Sequence, residues 1–401
     1  MEVSLLTGGD DKPYVFGLVR VLVQNSIRLE VVGGDGLDFP EWRGVHGLRF
    51  LNLRAKLNSS ASPLIKLWRI LASYARLLRY TSSAGPRILH IIWNNKFEYL
   101  DRTAIMVYYK IVLRKFVVLT AHNVNKAKRD HVDTYLNRLT LKVQYKLCDW
   151  IFVHTEEMKQ ELVNEFGVSG SRITVIPFGI NNSIPNTGLT SVEARSKLGI
   201  EKEEKVILFF GRIVPYKGLE YLATAFQDVL PNDGYYRLII AGRPEKDCVQ
   251  YFDAIRERLD LGGANKKVTL RIEYVPDAET EVFFKAADVL VLPYRNIYQS
   301  GVLFIAYNYG LPVIASDVGG LRSEIVEGQT GYVCKPEDPS DLGRAIEVYF
   351  ASELFRNLGD HRKRIQKYAH SRYSWEVVGD MTVKAYQCLG EKLPQDGAAV
   401  V

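Results

Sequence analysis

The sequence predicts an α/β protein built from two doubly wound parallel sheets, and three observations carry the prediction. Short apolar runs of strand length alternate with stretches of helical spacing along nearly the whole chain. The 401 residues exceed what one ordinary core organises, so two domains of about 200 residues each are expected. The richest turn cluster, Gly179 to Thr190 with Asn181, Asn182, Pro185, Asn186 and Gly188, falls between them and marks the boundary.

Glu2 to Leu6 reads as the first strand, Gly8-Gly9 as a tight turn and Tyr14 to Gln24 as a helix. Leu29 to Val32, Ile88 to Trp93, Phe116 to Ala121, Trp150 to His154 and Ile173 to Pro177 are further β-rich apolar runs. Helical spacing separates the later ones, at Ala104 to Leu113, Asp133 to Leu147 and Glu156 to Phe166. Past the boundary, strands are expected at Val206 to Phe210, Tyr236 to Ala241, Val268 to Ile272, Val289 to Leu292, Val313 to Ser316 and Tyr332 to Cys334. A charged helix over Leu354 to Ala369 precedes a last helix near Trp375 to Gln387. The Gly-, Pro- and Ala-rich stretch 391–401 reads as a disordered tail.

Composition excludes several classes. The chain is 47% hydrophobic and 24% charged, as soluble globular proteins are, and no apolar run approaches the roughly 18 residues that span a bilayer. Its start lacks the charged and apolar regions of a secretory signal, so a cytoplasmic location is expected. Four widely spaced cysteines suggest a reducing compartment without zinc or disulfides. No HxH, HExxH or DxD spacing is present, so neither a metal nor another cofactor is expected.

The net charge of +6 is unevenly spread. Over 64–80 an apolar stripe of Leu64, Leu67, Trp68, Leu71, Tyr74, Ala75 and Leu78 faces away from Lys66, Arg69, Arg76 and Arg79. Two readings stay open: a helix packing its stripe on the first sheet, the commoner arrangement, or one lying on the inner face of the cytoplasmic membrane. A second basic stretch runs from Lys126 to Lys146. Without interleaved aromatic and basic residues, nucleic acid is not expected as a partner.

The stretch VILFFGRIVPYKG, Val206 to Gly218, organises the second domain. A buried strand ends in a basic loop, and Leu219, Leu222, Phe226 and Leu230 then form one helical stripe. A helix start supplies unpaired N–H groups and partial positive charge, and Arg212 and Lys217 add two full charges. A phosphate or diphosphate is the ligand such a loop fits; solvated surface cations are the plain alternative.

Gly211-Arg212, Lys217-Gly218, Ala241-Gly242 and LPYRNIYQSGVLFIAYNYGLPVIASDVGGLRSEI, Leu292 to Ile325, occur in this order. So do Gly8-Gly9, Thr120-Ala121-His122-Asn123, Ile176-Pro177-Phe178-Gly179-Ile180 and Tyr373-Ser374-Trp375-Glu376. Together they resemble retaining glycosyltransferases of family 4 over nearly the whole chain. The resemblance implies the GT-B fold, two facing Rossmann-like domains with a cleft between them. Residues 1–182 correspond to the acceptor side, 183–372 to the nucleotide-sugar side and 373–390 to a helix crossing back to the first domain.

The same resemblance implies transfer of a hexose from a nucleotide diphosphate sugar by front-face attack, with the leaving phosphate taking the acceptor's proton. A metal-free site must then neutralise that phosphate itself. Arg212 and Lys217 fit this role, and the amides of Gly301, Val302 and Leu303 after Tyr298-Gln299-Ser300 add to it. Gly211, Gly242 and Gly301 leave room for backbone approach, Gly8 or Gly9 brings the first domain's loop near the phosphate, and His122 sits over the sugar. Glu324, placed at a helix start after Gly319-Gly320, contacts the donor. Each has a structural alternative: His122 as a satisfied strand-end residue, Gly319-Gly320 as a turn, Glu324 as a helix-start charge.

One departure stands out. The family's two glutamates align with Ile297 and Ile305, whose side chains accept no hydrogen bond, which leaves Tyr298, Gln299 or Ser300, or else water, to hold the sugar hydroxyls. The expected acceptor is a saccharide, in one reading carried on a lipid diphosphate in surface polysaccharide synthesis. The alternatives are a donor-binding scaffold without activity, a two-domain sugar-binding protein, and an epimerase or phosphorylase of the same fold.

Overall fold

A computed structural model describes residues 1–9, 11–54, 62–130, 132–180, 185–230, 234–260 and 267–391. Asn181 and Asn182 of the expected boundary loop and residues 392–401 of the expected tail lie outside these. The chain divides into two compact units, one of residues 1–179 with 375–401 and the other of residues 180–374.

The first unit holds a parallel sheet of seven strands: β1 Glu2–Thr7, β2 Arg28–Gly34, β3 Leu48–Arg54, β4 Ile88–Trp93, β5 Phe116–Thr120, β6 Trp150–Val153 and β7 Ile173–Val175. Their order is β3-β2-β1-β4-β5-β6-β7, so chain direction across the sheet reverses between β1 and β4. β3 has no counterpart among the expected strands. It is an edge strand of sequence LRFLNLR, buried on neither face, so its apolar run is interrupted by solvated residues.

Helix Lys12–Gln24 covers one face of the sheet, with Val15, Leu18 and Leu22 in one core with Val3, Leu5 and Val31. The last helix, Trp375–Gly390, adds Trp375, Val378 and Tyr386 to that core. At about 1.5–3 kcal/mol for each large apolar side chain removed from water, this packing holds the chain's end on the first unit. The Tyr386 hydroxyl also lies 2.5 Å from Nδ1 of buried His90 on β4. The expected helix over Ala104 to Leu113 is a short α turn at Glu98–Leu100 followed by two π turns, Asp101–Ile105 and Tyr108–Val112.

Helix Pro63–Ser83 buries only Tyr74 of its predicted stripe. Tyr74, Leu77 and Thr81 face inward, and the Tyr80 hydroxyl pairs with Ser4 and Glu30. Leu64, Leu67, Trp68 and Leu71 are exposed, Leu64 to 78% and Trp68 to 72%. Polar anchors in the last turns set the helix's rotation, and the first turns keep their apolar face in water. No helix among the described residues is long and apolar enough to cross a membrane.

The second unit repeats the plan with six parallel strands: β8 Lys205–Phe210, β9 Tyr236–Ala241, β10 Lys267–Arg271, β11 Val289–Leu292, β12 Val313–Ser316 and β13 Gly331–Cys334. The order β10-β9-β8-β11-β12-β13 puts its reversal between β8 and β11. Open α/β sheets leave a crevice at the carboxyl ends of two such strands, because their connections depart to opposite sides.

Candidate active site

In the second unit the crevice is furnished from both sides. After β8 the chain turns at Gly211, whose φ of +104° suits glycine. A Cβ there would lie 2.9 Å from Lys217 Nζ and 3.6 Å from Val302 Cγ2, so the loop, the lysine and the start of helix Gly301–Asn308 converge on one spot. Gly242, with φ of +149°, sits beneath, and a Cβ on it would overlap the Gly211 carbonyl oxygen.

Lys217 is 7% exposed, and among the described residues no carboxylate lies within ion-pair distance of it. Its ammonium lies 5.5 Å from the centre of the buried Tyr294 ring. Burial first, and repulsion from Arg212 second, bring its pKa down to about 8. Helix Gly301–Asn308 begins without a side-chain cap, and Ser300 Oγ lies 3.4 Å from the Tyr294 hydroxyl. Buried positive charge and a helix start without a side-chain cap share this crevice, a combination with the electrostatics that anions favour.

Arg212 stands apart from this cluster. It pairs with Glu245 at 2.6 Å, its side chain 67% exposed. Gln299 donates to Glu324 Oε1 at 3.4 Å, while its own Oε1 is buried with no partner among the described residues. Glu324 is buried in the first turn of the short α-helix Leu321–Glu324, as its last residue, and it also accepts from the Tyr373 hydroxyl. Ile297 is buried, and its carbonyl oxygen fills the space a Cβ on Gly319 would need.

The first unit presents its own crevice where β1 and β4 diverge. Gly8 donates to the Trp93 carbonyl at 2.9 Å, and a Cβ on Gly8 would overlap the backbone of Asn94. Gly9 rests on the Trp93 ring. That ring stacks on His122 at 3.9 Å between centres, and the edge of Tyr14 packs against the same imidazole. His122 lines a cavity of about 150 Å³ with Asn94, Arg102, Asn123 and Gln144. A second cavity, by the carboxyl ends of β1 and β3, is lined by Arg54, Arg69 and Lys96 together with Val32, Leu53 and Ile70.

The structure therefore gathers Gly211, Lys217, Gly242, Ser300, Gly301 and Val302 in one unit, and Gly8, Gly9 and His122 in the other. Sequence reasoning passed over Trp93, Tyr294 and His154, because an aromatic or histidine at the end of an apolar strand looks like core. Among the described residues no three His, Cys, Asp or Glu side chains form a metal-binding group.

Comparison with known proteins bears on the family and the fold. The family described as Glycosyl transferases group 1 matches residues 191–372, and that described as Glycosyltransferase Family 4 matches residues 13–183. An uncharacterized glycosyltransferase of Methanocaldococcus jannaschii is 24% identical over 397 residues, covering 94% of each chain. Among solved structures, sucrose-phosphate synthase from Thermosynechococcus elongatus superposes with a TM-score of 0.75 at 19% identity, over 98% of this chain and all of that one. Anabaena HepE, solved in complex with UDP and glucose, gives 0.74 at 14%, over 97% of this chain and all of that one.

Proposed function

Because the chain belongs to the family 4-like glycosyltransferases of the GT-B fold, with a nucleotide sugar as donor, we propose that it transfers a hexose with retention to a saccharide acceptor on a lipid diphosphate. Lys217 carries the donor half of the reading: a buried ammonium without a carboxylate partner among the described residues, beside a helix start without a side-chain cap, suits a diphosphate dianion. In this reaction the bond from the sugar's anomeric carbon to the diphosphate oxygen breaks. The acceptor oxygen bonds to that carbon on the same face, and its proton passes to the departing phosphate. The protein supplies position and charge and no nucleophile.

HepE's complex with UDP makes UDP-hexoses the first donors to test. Gln299, whose amide oxygen is buried with no partner among the described residues, takes the hydroxyl-binding duty that Ile297 and Ile305 cannot perform. Arg212 joins the phosphate set by leaving Glu245, an exposed pair that costs little to break.

The acceptor half rests on the first unit. Arg54, Arg69 and Lys96, in a cavity lined also by Val32, Leu53, Ile70 and Leu77 and by the polar Thr7, Ser73 and Asn95, suit a phosphate borne on a hydrophobic carrier. Arg69 lies on the same helix as exposed Leu64, Trp68 and Leu71, a face that suits insertion at an anionic membrane surface. This arrangement supports peripheral attachment and a place in surface polysaccharide assembly.

The deciding experiment offers UDP-, GDP- and ADP-sugars with and without lipid-diphosphate saccharides, and measures nucleotide release and product stereochemistry. Release with an α-linked product from an α-linked donor is expected. Binding without release would identify a scaffold, and an isomerised donor an epimerase.

A further inference from the structure

In the second unit the loop after β11 is pinned to the loop after β12 on both sides of Gln299. The Tyr298 carbonyl accepts from the Gly320 amide at 3.0 Å, the Ile297 carbonyl fills the space beside Gly319, and Ser300 caps the start of helix Gly301–Asn308. The backbone of Gln299 is thereby fixed, and only its side chain remains to be placed. Its amide nitrogen donates to Glu324 Oε1 at 3.4 Å, and its amide oxygen is buried with no partner among the described residues.

Glu324 dictates that direction, because it is buried and held at two points. The Tyr373 hydroxyl donates to its Oε2, and the Tyr307 hydroxyl, paired also with Thr330 at 2.9 Å, donates to its carbonyl oxygen at 2.7 Å. Tyr373 is buried too, its ring edge-on to Phe304 of the helix that Ser300 begins. A carboxylate only accepts hydrogen bonds, so an amide beside it turns its NH2 inward. The opposite turn would set two acceptors against each other and leave both unanswered. The end of Gln299 that faces away from Glu324 is therefore its oxygen, two residues before the helix start that converges with Lys217.

We infer that Glu324 is a positioning residue, locked by Tyr373, that fixes Gln299 as a hydrogen-bond acceptor, so that the second unit selects a nucleotide sugar offering a hydroxyl to it. The inference rests on the reading above that Gln299 meets a hydroxyl of the donor, and on the second unit alone for the direction of the amide. Glu324 acts through Gln299 and does not itself touch the sugar. A neutral oxygen thus stands in for the carboxylates that Ile297 and Ile305 lack, and a donor without that hydroxyl leaves a buried acceptor unanswered.

The test uses the full chain and measures binding of UDP, UDP-glucose and its monodeoxy analogues by calorimetry, beside nucleotide release and thermal unfolding. One monodeoxy analogue should bind about tenfold more weakly than UDP-glucose to the native chain, and Gln299→Leu should erase that gap. Glu324→Gln, whose amide meets Gln299 with either end, should narrow the gap without weakening UDP, which carries no sugar; a purely structural role would weaken every ligand alike. Gln299→Glu sets two carboxylates side by side and should lower the melting temperature. Combining it with Glu324→Gln exchanges the partners, the new amide donating to the new carboxylate, and should restore both the melting temperature and the gap. Equal affinity for UDP-glucose and all its monodeoxy analogues overturns the inference, as does a gap unchanged in Glu324→Gln or absent from the exchanged pair. If Glu324→Gln does not fold, Tyr373→Phe, which unlocks the carboxylate and keeps the ring, should narrow the gap, and an unchanged gap there overturns it equally. UDP-glucose bound but never cleaved defeats the transferase reading, and the binding measurements still judge the role of Glu324. Turnover with equal use of every analogue defeats the inference and leaves the transferase standing, while no binding of UDP-, GDP- or ADP-glucose overturns both.

Discussion

Substituting Lys217 sets stability against function in one residue. Burial and the Arg212 charge bring its pKa from an ordinary 10.5 to about 8. At about 1.4 kcal/mol per pH unit, the native state gives up roughly 3 kcal/mol to carry this charge. Below pH 8 the folded and unfolded chains both hold the proton and the cost is at its full value. Between 8 and 10.5 the unfolded chain keeps a proton that the native one has released, so stability rises with pH across that window. Lys217→Met at pH 7 should accordingly raise the melting temperature by several degrees. The same substitution should reduce nucleotide release by about two to three orders of magnitude, as loss of one preorganised charge does. For the native chain the protonated fraction falls from about nine-tenths at pH 7 to about one-tenth at pH 9, so kcat/KM for the donor should drop about tenfold. Lys217→Arg, permanently charged, should remove that inflection. Nucleotide release by a coupled assay over pH 6.5–9.5, beside thermal unfolding of each variant, measures both effects. A flat profile to pH 9.5, or a Lys217→Met chain less stable than the native one at pH 7, would refute the reasoning.

Other expectations follow from the same structure. His90 and His154 are held neutral by burial, with pKa values brought down to about 3 and about 4 from 6.5. First-unit stability should be complete above pH 6.5 and decline as pH falls toward those values, by about 2 kcal/mol per imidazole at pH 5; a melting temperature unchanged from pH 7 to 5 would contradict this. Gly242→Ala places a methyl against the Gly211 carbonyl at a φ of +149°, so the second unit should lose more than about 1 kcal/mol along with UDP affinity, measured by thermal shift with and without UDP. Replacing Leu64, Trp68 and Leu71 together by Ser should abolish sedimentation with anionic vesicles while leaving soluble-donor nucleotide release intact. Equal sedimentation of variant and native protein would remove the membrane from the picture.

Much of this molecule is legible in its sequence because strands buried on both faces have a signature that tertiary context seldom overrides. The runs at β8 and β11 contain unbroken apolar segments followed by Gly or Pro, β1 is apolar from Val3 to Leu6 but for Ser4, and the glycine-punctuated loops after β1 and β8 pointed to the crevices where Gly8, Gly211 and Lys217 are found. β3 escaped because an edge strand needs no continuous apolar run.

What the sequence could settle by itself is therefore the order of strands and loops, since backbone burial and turn chemistry are written in neighbouring residues. What only the tertiary structure decided is partnership. It turned Arg212 outward to Glu245 and left Lys217 buried beside the helix start, though the two lie five positions apart on one loop. It rotated helix Pro63–Ser83 so that Leu64 and Trp68 met water, through bonds from Tyr80 to residues on β1 and β2. It also set His154 against His122 across adjacent strand ends. Such contacts join residues distant in sequence, and the charge state, tautomer and exposure of a side chain follow from those neighbours.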